Sequence, residues 1–172
     1  FMGLQCFKLG SHVNQLLLDL APRLAQMAVL DLPRVGVALQ FADLVRKTLD
    51  LALTLHPDTK QVFVVSGTLQ HDKRLETLAR EDLRGYENRI GISYLTDLMV
   101  DELVTEAKNL PARSIVLYIW QQSVNERGKL LESADVFALI APSASVPIYG
   151  MLEPVLGRGI VGGHIITAEA TG

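Results

Sequence analysis

The segment that most constrains the fold is residues 61–67, which read Gln-Val-Phe-Val-Val-Ser-Gly. Its apolar run contains β-branched valines and has no polar face, so both faces of a strand here must be covered. Strands of this kind belong to parallel sheets whose crossover helices pack on each side. The segment therefore predicts a buried strand in a parallel sheet.

Strand-like and helix-like segments alternate along the rest of the chain. Predicted strands cover residues 35–39, 61–67, 90–94, 114–119, 146–149 and 163–168. Predicted helices cover residues 44–55, 73–84, 100–109 and 130–141. Such alternation implies right-handed βαβ crossovers, and so an α/β three-layer sandwich with a mainly parallel sheet.

The first 32 residues differ from this pattern. Residues 1–14 mix aromatic, glycine and polar residues without a period, and Gly10-Ser11-His12 resembles the scar of a cleaved tag. Residues 15–32 place leucines at three- and four-residue steps, which predicts an amphipathic helix. We expect residues 33–172 to form the single α/β domain, since 172 residues supply one core.

Charge and composition exclude several classes of function. The 16 basic and 19 acidic residues give a net charge of −3, which offers no basic surplus for nucleic acid. One cysteine, Cys6, builds neither a disulfide framework nor a thiolate cluster. The four histidines, His12, His56, His71 and His164, lack metal-ligand spacing, so no metal site is predicted.

Ligands of parallel α/β sheets bind outside the carboxyl ends of the strands, where the strand order reverses. The candidate loops are therefore residues 66–72, 96–97, 120–128 and 151–163, together with the exit of the first predicted strand at residues 40–43.

A glycine-rich motif lies in the last of these loops. Residues 157–162 read Gly-Arg-Gly-Ile-Val-Gly and satisfy the G-x-G-x-x-G spacing of dinucleotide-binding proteins. That fingerprint joins a first strand to a helix, whereas here it precedes the predicted strand 163–168. We interpret it as a turn whose glycines adopt positive φ, and no cofactor is predicted.

Ser66, His71 and Asp72 are the residue types of a hydrolytic triad. Neighbouring positions 71 and 72 point apart on a helix, and no nucleophile elbow surrounds Ser66, so no catalytic residue is predicted. Two alternatives stay open. Thr68 or Asp72 caps the helix, or Ser66, Gly67 and Thr68 offer hydroxyls and amides to a ligand at the helix start.

One aromatic and four neutral hydrogen-bonding residues lie after the third strand of the main series: Trp120, Gln121, Gln122, Ser123 and Asn125. This mixture is typical of recognition of a small polar ligand, and the alternative is a solvated loop with Trp120 covering the core. Glu153 either binds a ligand amine or caps the short helix that Pro154 begins.

Several of these stretches together resemble the periplasmic-binding-protein-like ligand domain, which is related to substrate-binding proteins of ABC-type transporters. The matching stretches are residues 48–59, 62–67, 94–96, 116–118, 146–150 and 156–163. The last, glycine-rich stretch is the most specific. The resemblance covers roughly residues 33–172.

The resemblance implies one lobe of a type I two-lobed fold, truncated at both ends, with ligand held in the cleft between the lobes. Its partner would be a missing first lobe of the same protein. By motif position, Ser66, Gly67, Asp72, the loop of residues 120–123 and Glu153 would face the cleft. The family often has Asp near Glu153, and its loop after the third strand commonly differs from this one.

The function that the resemblance implies is small-molecule sensing by the extracytoplasmic, periplasmic part of a membrane-anchored histidine kinase in a two-component system. A downstream membrane helix and kinase core would then be partners. A solute-binding receptor of an ABC-type transporter is the alternative, followed by a cytoplasmic α/β enzyme. An exposed apolar cleft face around Ile119 and Trp120 would also favour a homodimer.

Overall fold

The computed structural model describes residues 40–124 and 129–164. The chain divides into the units Phe1–Gln40 and Phe41–Gly172, and the structure described below is that of the second unit. The predicted segments 1–14, 15–32 and 35–39, most of the predicted strand 163–168, and residues 125–128 of the predicted loop 120–128, including Asn125, lie outside the described residues.

The centre of the unit is a parallel sheet. The strands in chain order are β1 (Gln61–Ser66), β2 (Gly91–Leu95), β3 (Ser114–Trp120), β4 (Ser123–Val124), β5 (Leu130–Leu131) and β6 (Ile148–Gly150). The main sheet has the order β2-β1-β3-β6, and every neighbouring pair in it is parallel. Strands β4 and β5 form a separate antiparallel pair.

Helices cover both faces of this sheet. They are α1 (residues 40–55), α2 (Gln70–Leu83), α3 (Val100–Lys108) and α4 (Ser133–Ile140), with short 3-10 helices at Arg84–Tyr86 and Glu153–Val155. Residues of α1 and α2 pack with one face of the sheet, and residues of α3 and α4 pack with the other. The three-layer α/β architecture is therefore confirmed. None of the helices in the described ranges combines the length and the apolar character that a membrane crossing requires.

Strand β1 shows why the sequence folds this way. Val62 and Val64 contribute to the core under α1 and α2, while Phe63 and Val65 contribute to the core under α3 and α4. All four side chains are buried, as the apolar run predicts. Each hydrophobic layer thus takes alternate residues of the same strand, because successive side chains point to opposite faces.

The connection between β3 and α4 differs from the prediction. A helix was predicted over residues 130–141, but α4 begins at Ser133. Leu130 and Leu131 instead pair with Val124 and Ser123 in the antiparallel β4–β5 pair. The pairing of Leu130 and Leu131 with the neighbouring strand β4 overrides the local helical pattern.

The glycine-rich segment forms the predicted turn and then joins the edge of the sheet. Gly157 and Gly159 have φ values of 73° and 106°, which the lack of a Cβ permits. Gly162 then makes a parallel bridge with Tyr149 of β6. The N–H of Gly150 donates to the Gly162 carbonyl oxygen at 3.1 Å. The segment therefore extends the sheet beyond β6.

Candidate functional site

The strand order places a switch point between β1 and β3. The chain leaves β1 through α2 toward β2 on one side, and leaves β3 through α4 toward β6 on the other. At the carboxyl ends, Ser66 lies opposite Trp120 after a bulge between Val65 and Ser66. The Gly67 N–H then donates to the Trp120 carbonyl oxygen at 2.9 Å. Two of the predicted loops therefore meet at the position where this type of sheet binds ligands.

Asp72 ties these two loops together. Its residue exposure is 0%, and it lies in the first turn of α2. Its Oδ2 accepts hydrogen bonds from the Leu69 N–H at 3.4 Å and from the Gln122 N–H at 3.2 Å. Among the described residues, its Oδ1 has no hydrogen-bond partner. One carboxylate thus caps α2 and holds the loop after β3.

Local packing and charge explain the position of this carboxylate. A Cβ atom at residue 67 would collide with Oδ2 of Asp72, so the close approach requires glycine there. Burial raises the pKa of Asp72, and the N–H donors of Gln122 and Leu69 partly oppose that rise. The amino end of α2 also favours a negative charge at this point.

The other side of the loop after β3 is held by Ser133, the first residue of α4. The Gln121 N–H donates to Ser133 Oγ at 3.2 Å. The Tyr118 hydroxyl donates to the Ser133 carbonyl oxygen at 2.8 Å, and burial raises the pKa of Tyr118. The consecutive amides of Gln121 and Gln122 are therefore fixed by helices on opposite faces of the sheet. The sequence analysis missed Ser133, although serine at the start of a helical pattern is a recognised signal.

Of the three residues predicted at the end of β1, Ser66 and Gly67 are buried and Thr68 is exposed. Ser66 is buried, and its hydroxyl donates to the Asp72 carbonyl oxygen at 3.1 Å. Gly67 is buried and uses its N–H within the sheet edge, whereas Thr68 is exposed. The cap that was predicted from Thr68 or Asp72 is made by Asp72.

The loop after β3 presents its predicted residues in different ways. Gln121 is 1% exposed, and its Nε2 donates to the Leu98 carbonyl oxygen at 3.5 Å. Gln122 is half-buried, and its Nε2 donates to Glu132 Oε2 at 2.7 Å. Ser123 is buried in β4. The side-chain amides of Gln121 and Gln122 thus link the end of β3 to the residues that precede α3 and α4.

Trp120 is half-buried at the end of β3. It packs against the core under α1 and α2 and meets the His71 ring edge-on at a centroid distance of 5.9 Å. Its Nε1 is buried without a hydrogen-bond partner in the described ranges. Ile119 is only 1% exposed, so the expected apolar surface around Ile119 and Trp120 is wrong for Ile119: its side chain faces the core.

Glu153 lies at the same edge but at a distance from Asp72. It is exposed in the 3-10 helix Glu153–Val155, which follows β6. Strand β6 is separated from β1 by β3, so the two strands are about 10 Å apart at ordinary strand spacing. The structure therefore brings together Ser66, Gly67, Asp72 and the loop after β3, with Glu153 on the flank.

A charged group that the sequence analysis did not identify lies at the end of β2. Lys73 Nζ contacts Asp97 Oδ2 at 2.7 Å and Glu76 Oε2 at 3.0 Å. Burial lowers the pKa of Lys73, and the hydrogen bonds to these two carboxylates reverse that effect and raise it. Asp97 holds a φ of 61°, which is unusual for a residue with a side chain.

Two cavities lie away from the switch point. One, of about 380 Å³, runs along α3 and is lined by Leu98, Asp101, Glu102, Thr105 and Glu106. The other, of about 290 Å³, lies at the amino ends of the strands and includes His56, Asp58, Arg113, Ser114 and Ser145. In the part of the chain that the structure describes, no group of three or more His, Cys, Asp or Glu residues is arranged to hold a metal ion.

Comparison with protein-family models finds no match for the chain, and comparison with curated proteins finds none either.

Proposed function

We propose that this chain is a small-molecule receptor domain that binds its ligand at the carboxyl edge of the sheet, at the β1–β3 switch point. The observation that carries the proposal is the bridge from Asp72 to the Leu69 and Gln122 amides. It fixes the two loops at this edge relative to each other. Fixed loops favour binding because little conformational entropy is lost when a ligand contacts them.

The chemistry of these loops supports recognition rather than conversion of the ligand. The side chains at this edge are hydroxyls, amides and an indole: Trp120 and Gln122 are half-buried and reach the surface, whereas Ser66, Gln121 and Ser123 are buried. Such groups orient a polar ligand against an apolar wall. The Ser66 hydroxyl, the nucleophile type among them, donates to the Asp72 backbone carbonyl oxygen at 3.1 Å rather than to a base.

The finer form of the proposal is sensory. As the resemblance implies, the chain is one lobe of the extracytoplasmic sensor of a membrane histidine kinase, with ligand held between this lobe and another. Ligand that contacts both lobes favours the closed state by its differential affinity for that state. This lobe alone then binds ligand more weakly than the two lobes together.

The binding proposal is tested with the purified chain and a library of small metabolites. Trp120 is the one tryptophan of the sequence, so its emission reports on the end of β3 directly. We expect compounds that change this emission and also raise the thermal unfolding temperature, because ligand stabilises the folded state. Chemical conversion of such a compound by the chain would contradict the receptor proposal.

A matched pair of variants locates the binding. Gly67→Ala places a Cβ against Asp72, whereas a Cβ at Gly85 meets no atom within 4 Å. We expect Gly67→Ala to weaken binding by about tenfold or more, which corresponds to about 1.4 kcal/mol, and Gly85→Ala to leave it unchanged. Equal affinities of the two variants would place the ligand elsewhere.

The sensory form is tested by the coding sequence on both sides of this segment. A first lobe upstream with a membrane helix and kinase core downstream supports the sensor. A secretory signal with a stop codon soon after one more helix supports the transport receptor.

A further inference from the structure

The carboxyl edge of the sheet is acidic at each of its strands. Asp72 follows β1, Asp97 follows β2, Glu132 follows β3 and its hairpin, and Glu153 follows β6. Asp97, Glu132 and Glu153 are exposed, whereas Asp72 is fully buried. A buried carboxylate exerts a stronger field than an exposed one, because the surrounding dielectric constant is low.

Three described basic residues at this edge, Lys73, Lys129 and Arg158, already have partners. Lys73 is shared between Asp97 and Glu76 at 2.7 and 3.0 Å. Arg158 directs a guanidinium N–H toward a backbone carbonyl of α4 at 3.5 Å, and Lys129 also interacts with the chain. A ligand anion would therefore have to compete with these contacts.

The helix amino ends at this edge also contain their own acids. At α2, the Leu69 N–H donates to Asp72. At α3, the Met99 N–H donates to Glu102 Oε2 at 2.8 Å. Asp135 lies in the first turn of α4. Free helix amino ends commonly bind phosphate or carboxylate, but an acid already present at the end repels a second anion.

Three backbone donors at the switch point are engaged, whereas one acceptor, Asp72 Oδ1, and one side-chain donor, Trp120 Nε1, lack a partner among the described residues. The N–H groups of Gly67, Gln121 and Gln122 donate to Trp120, Ser133 and Asp72, respectively. In contrast, Oδ1 of Asp72 is buried and has no partner among the described residues. Buried polar atoms are normally satisfied, so an unpaired carboxylate oxygen points to a donor beyond the described residues, which a ligand can supply.

From this balance we infer that the ligand carries a protonated amine, and that Asp72 is the group that selects for it. The inference rests on the proposed function, because it concerns the chemistry of the same site. The amine supplies the donor and positive charge for which the edge has acceptors and carboxylates. Phosphorylated and carboxylate-bearing compounds are disfavoured by the same field.

The test uses three probes with the same four-carbon chain and different charge: putrescine, 1,4-butanediol and succinate. Each is titrated into the chain at low salt while Trp120 emission and heat of binding are recorded. We expect putrescine to bind at least about tenfold more tightly than butanediol, and succinate to bind most weakly. Added salt weakens putrescine binding because charge attraction is screened.

Two variants separate Asp72 from overall charge. Asp72→Asn keeps the side-chain size and an oxygen for the Leu69 and Gln122 amides, but it removes the negative charge. Asp58→Asn makes the same change at the amino edge, where Asp58 lines the other cavity. We expect Asp72→Asn to weaken putrescine binding about tenfold without changing that of butanediol, and Asp58→Asn to change neither.

The outcomes separate the two proposals. Succinate or inorganic phosphate that binds as tightly as putrescine overturns the amine inference and leaves the receptor proposal standing. Equal putrescine affinity in the wild type and Asp72→Asn overturns the role of Asp72. If none of these probes binds but library compounds bind at this edge, the charge of those compounds decides. Anionic compounds overturn the inference, whereas amines whose binding is weakened by Asp72→Asn support it. A library without any binder overturns both proposals.

Discussion

At the scale of single residues, Asp72 combines a structural role with an energetic cost. Two amide donors stabilise its Oδ2, while its Oδ1 lacks a partner among the described residues. Burying a carboxylate is costly unless both oxygens are satisfied. The hydrogen bonds of this side chain and its charge therefore have opposite effects on stability.

Substitutions at Asp72 separate these effects. Asp72→Asn retains an acceptor for both amides and removes the buried charge, so we expect the free energy of unfolding to stay within about 1 kcal/mol of wild type. Asp72→Ala leaves the Leu69 and Gln122 amides without the carboxylate, and we expect a loss of about 2 kcal/mol. Urea unfolding at neutral pH measures both. Equal losses of unfolding free energy for the Asn and Ala variants would show that the hydrogen bonds from the Leu69 and Gln122 N–H groups do not contribute to stability.

The raised pKa of Asp72 also predicts a pH dependence. Because the folded state holds this proton more tightly than the unfolded state, the contribution to stability is fully present below the ordinary Asp pKa of 3.8. It is lost as the pH rises through the folded-state pKa. We expect wild type to lose stability relative to Asp72→Asn over that range. A constant difference between the two proteins across pH would contradict the raised pKa.

Two buried tyrosines provide a matched comparison. The Tyr118 hydroxyl donates to Ser133, so Tyr118→Phe should lower the free energy of unfolding by about 1 kcal/mol. The Tyr149 hydroxyl is buried with no hydrogen-bond partner in the described ranges. We expect Tyr149→Phe to be neutral or stabilising, since it removes an unsatisfied polar atom. Thermal and urea unfolding of both variants check this, and a larger loss at Tyr149 would refute it.

At the scale of elements, the glycine-rich segment joins β6 by close backbone contact. A Cβ at Gly163, whose φ is 154°, would collide with the Gly150 carbonyl oxygen. A Cβ at Gly162 would meet Tyr149 Cε1 at 3.8 Å, an ordinary contact. A side chain is therefore sterically excluded at position 163 but fits at position 162.

Alanine substitutions test this difference. We expect Gly163→Ala to lower the free energy of unfolding by about 2–4 kcal/mol, because the backbone must move away from β6. Gly162→Ala should cost less than about 1 kcal/mol. Chemical denaturation of the two variants provides the comparison. Similar costs would indicate that the segment does not pair with β6 as described.

The elements were predictable where their signal is local. The apolar run of β1 and the turn at residues 56–58 can each be recognised from their own residues. The structure has a strand and a turn at these positions. The β4–β5 pair was not predictable, because Leu130 and Leu131 fit a helical pattern until a partner strand is known. The pairing partner of a segment is not encoded in the spacing of that segment alone, even when the partner is a neighbouring strand.

The same reasoning applies to the candidate site. Sequence placed Ser66, Gly67 and Asp72 in one loop and Gln122 in another, and strand alternation put both loops at one edge. It gave no sign that Asp72 would bind the amide of Gln122, 50 positions away. That contact forms because β1 and β3 are neighbours in the sheet, and the sequence does not specify the order of the strands.

At the scale of the whole unit, the order β2-β1-β3-β6 gives the site its position. It places α2 and α4 on opposite faces, so their first turns approach the loop after β3 from both sides. A right-handed crossover from every strand is expected from sequence, but the same crossovers permit other strand orders. The observed order brings Asp72 and Ser133 into hydrogen-bond contact with the backbone N–H groups of the consecutive residues Gln122 and Gln121.

The most direct test of the central claim maps ligand contacts onto the backbone amides by two-dimensional NMR. A library compound that alters Trp120 emission is titrated into the isotope-labelled chain. We predict the largest shift changes at Gly67, Gln121 and Gln122. Changes centred instead on His56 and Arg113 at the amino edge, or along α3, would contradict binding at the β1–β3 switch point.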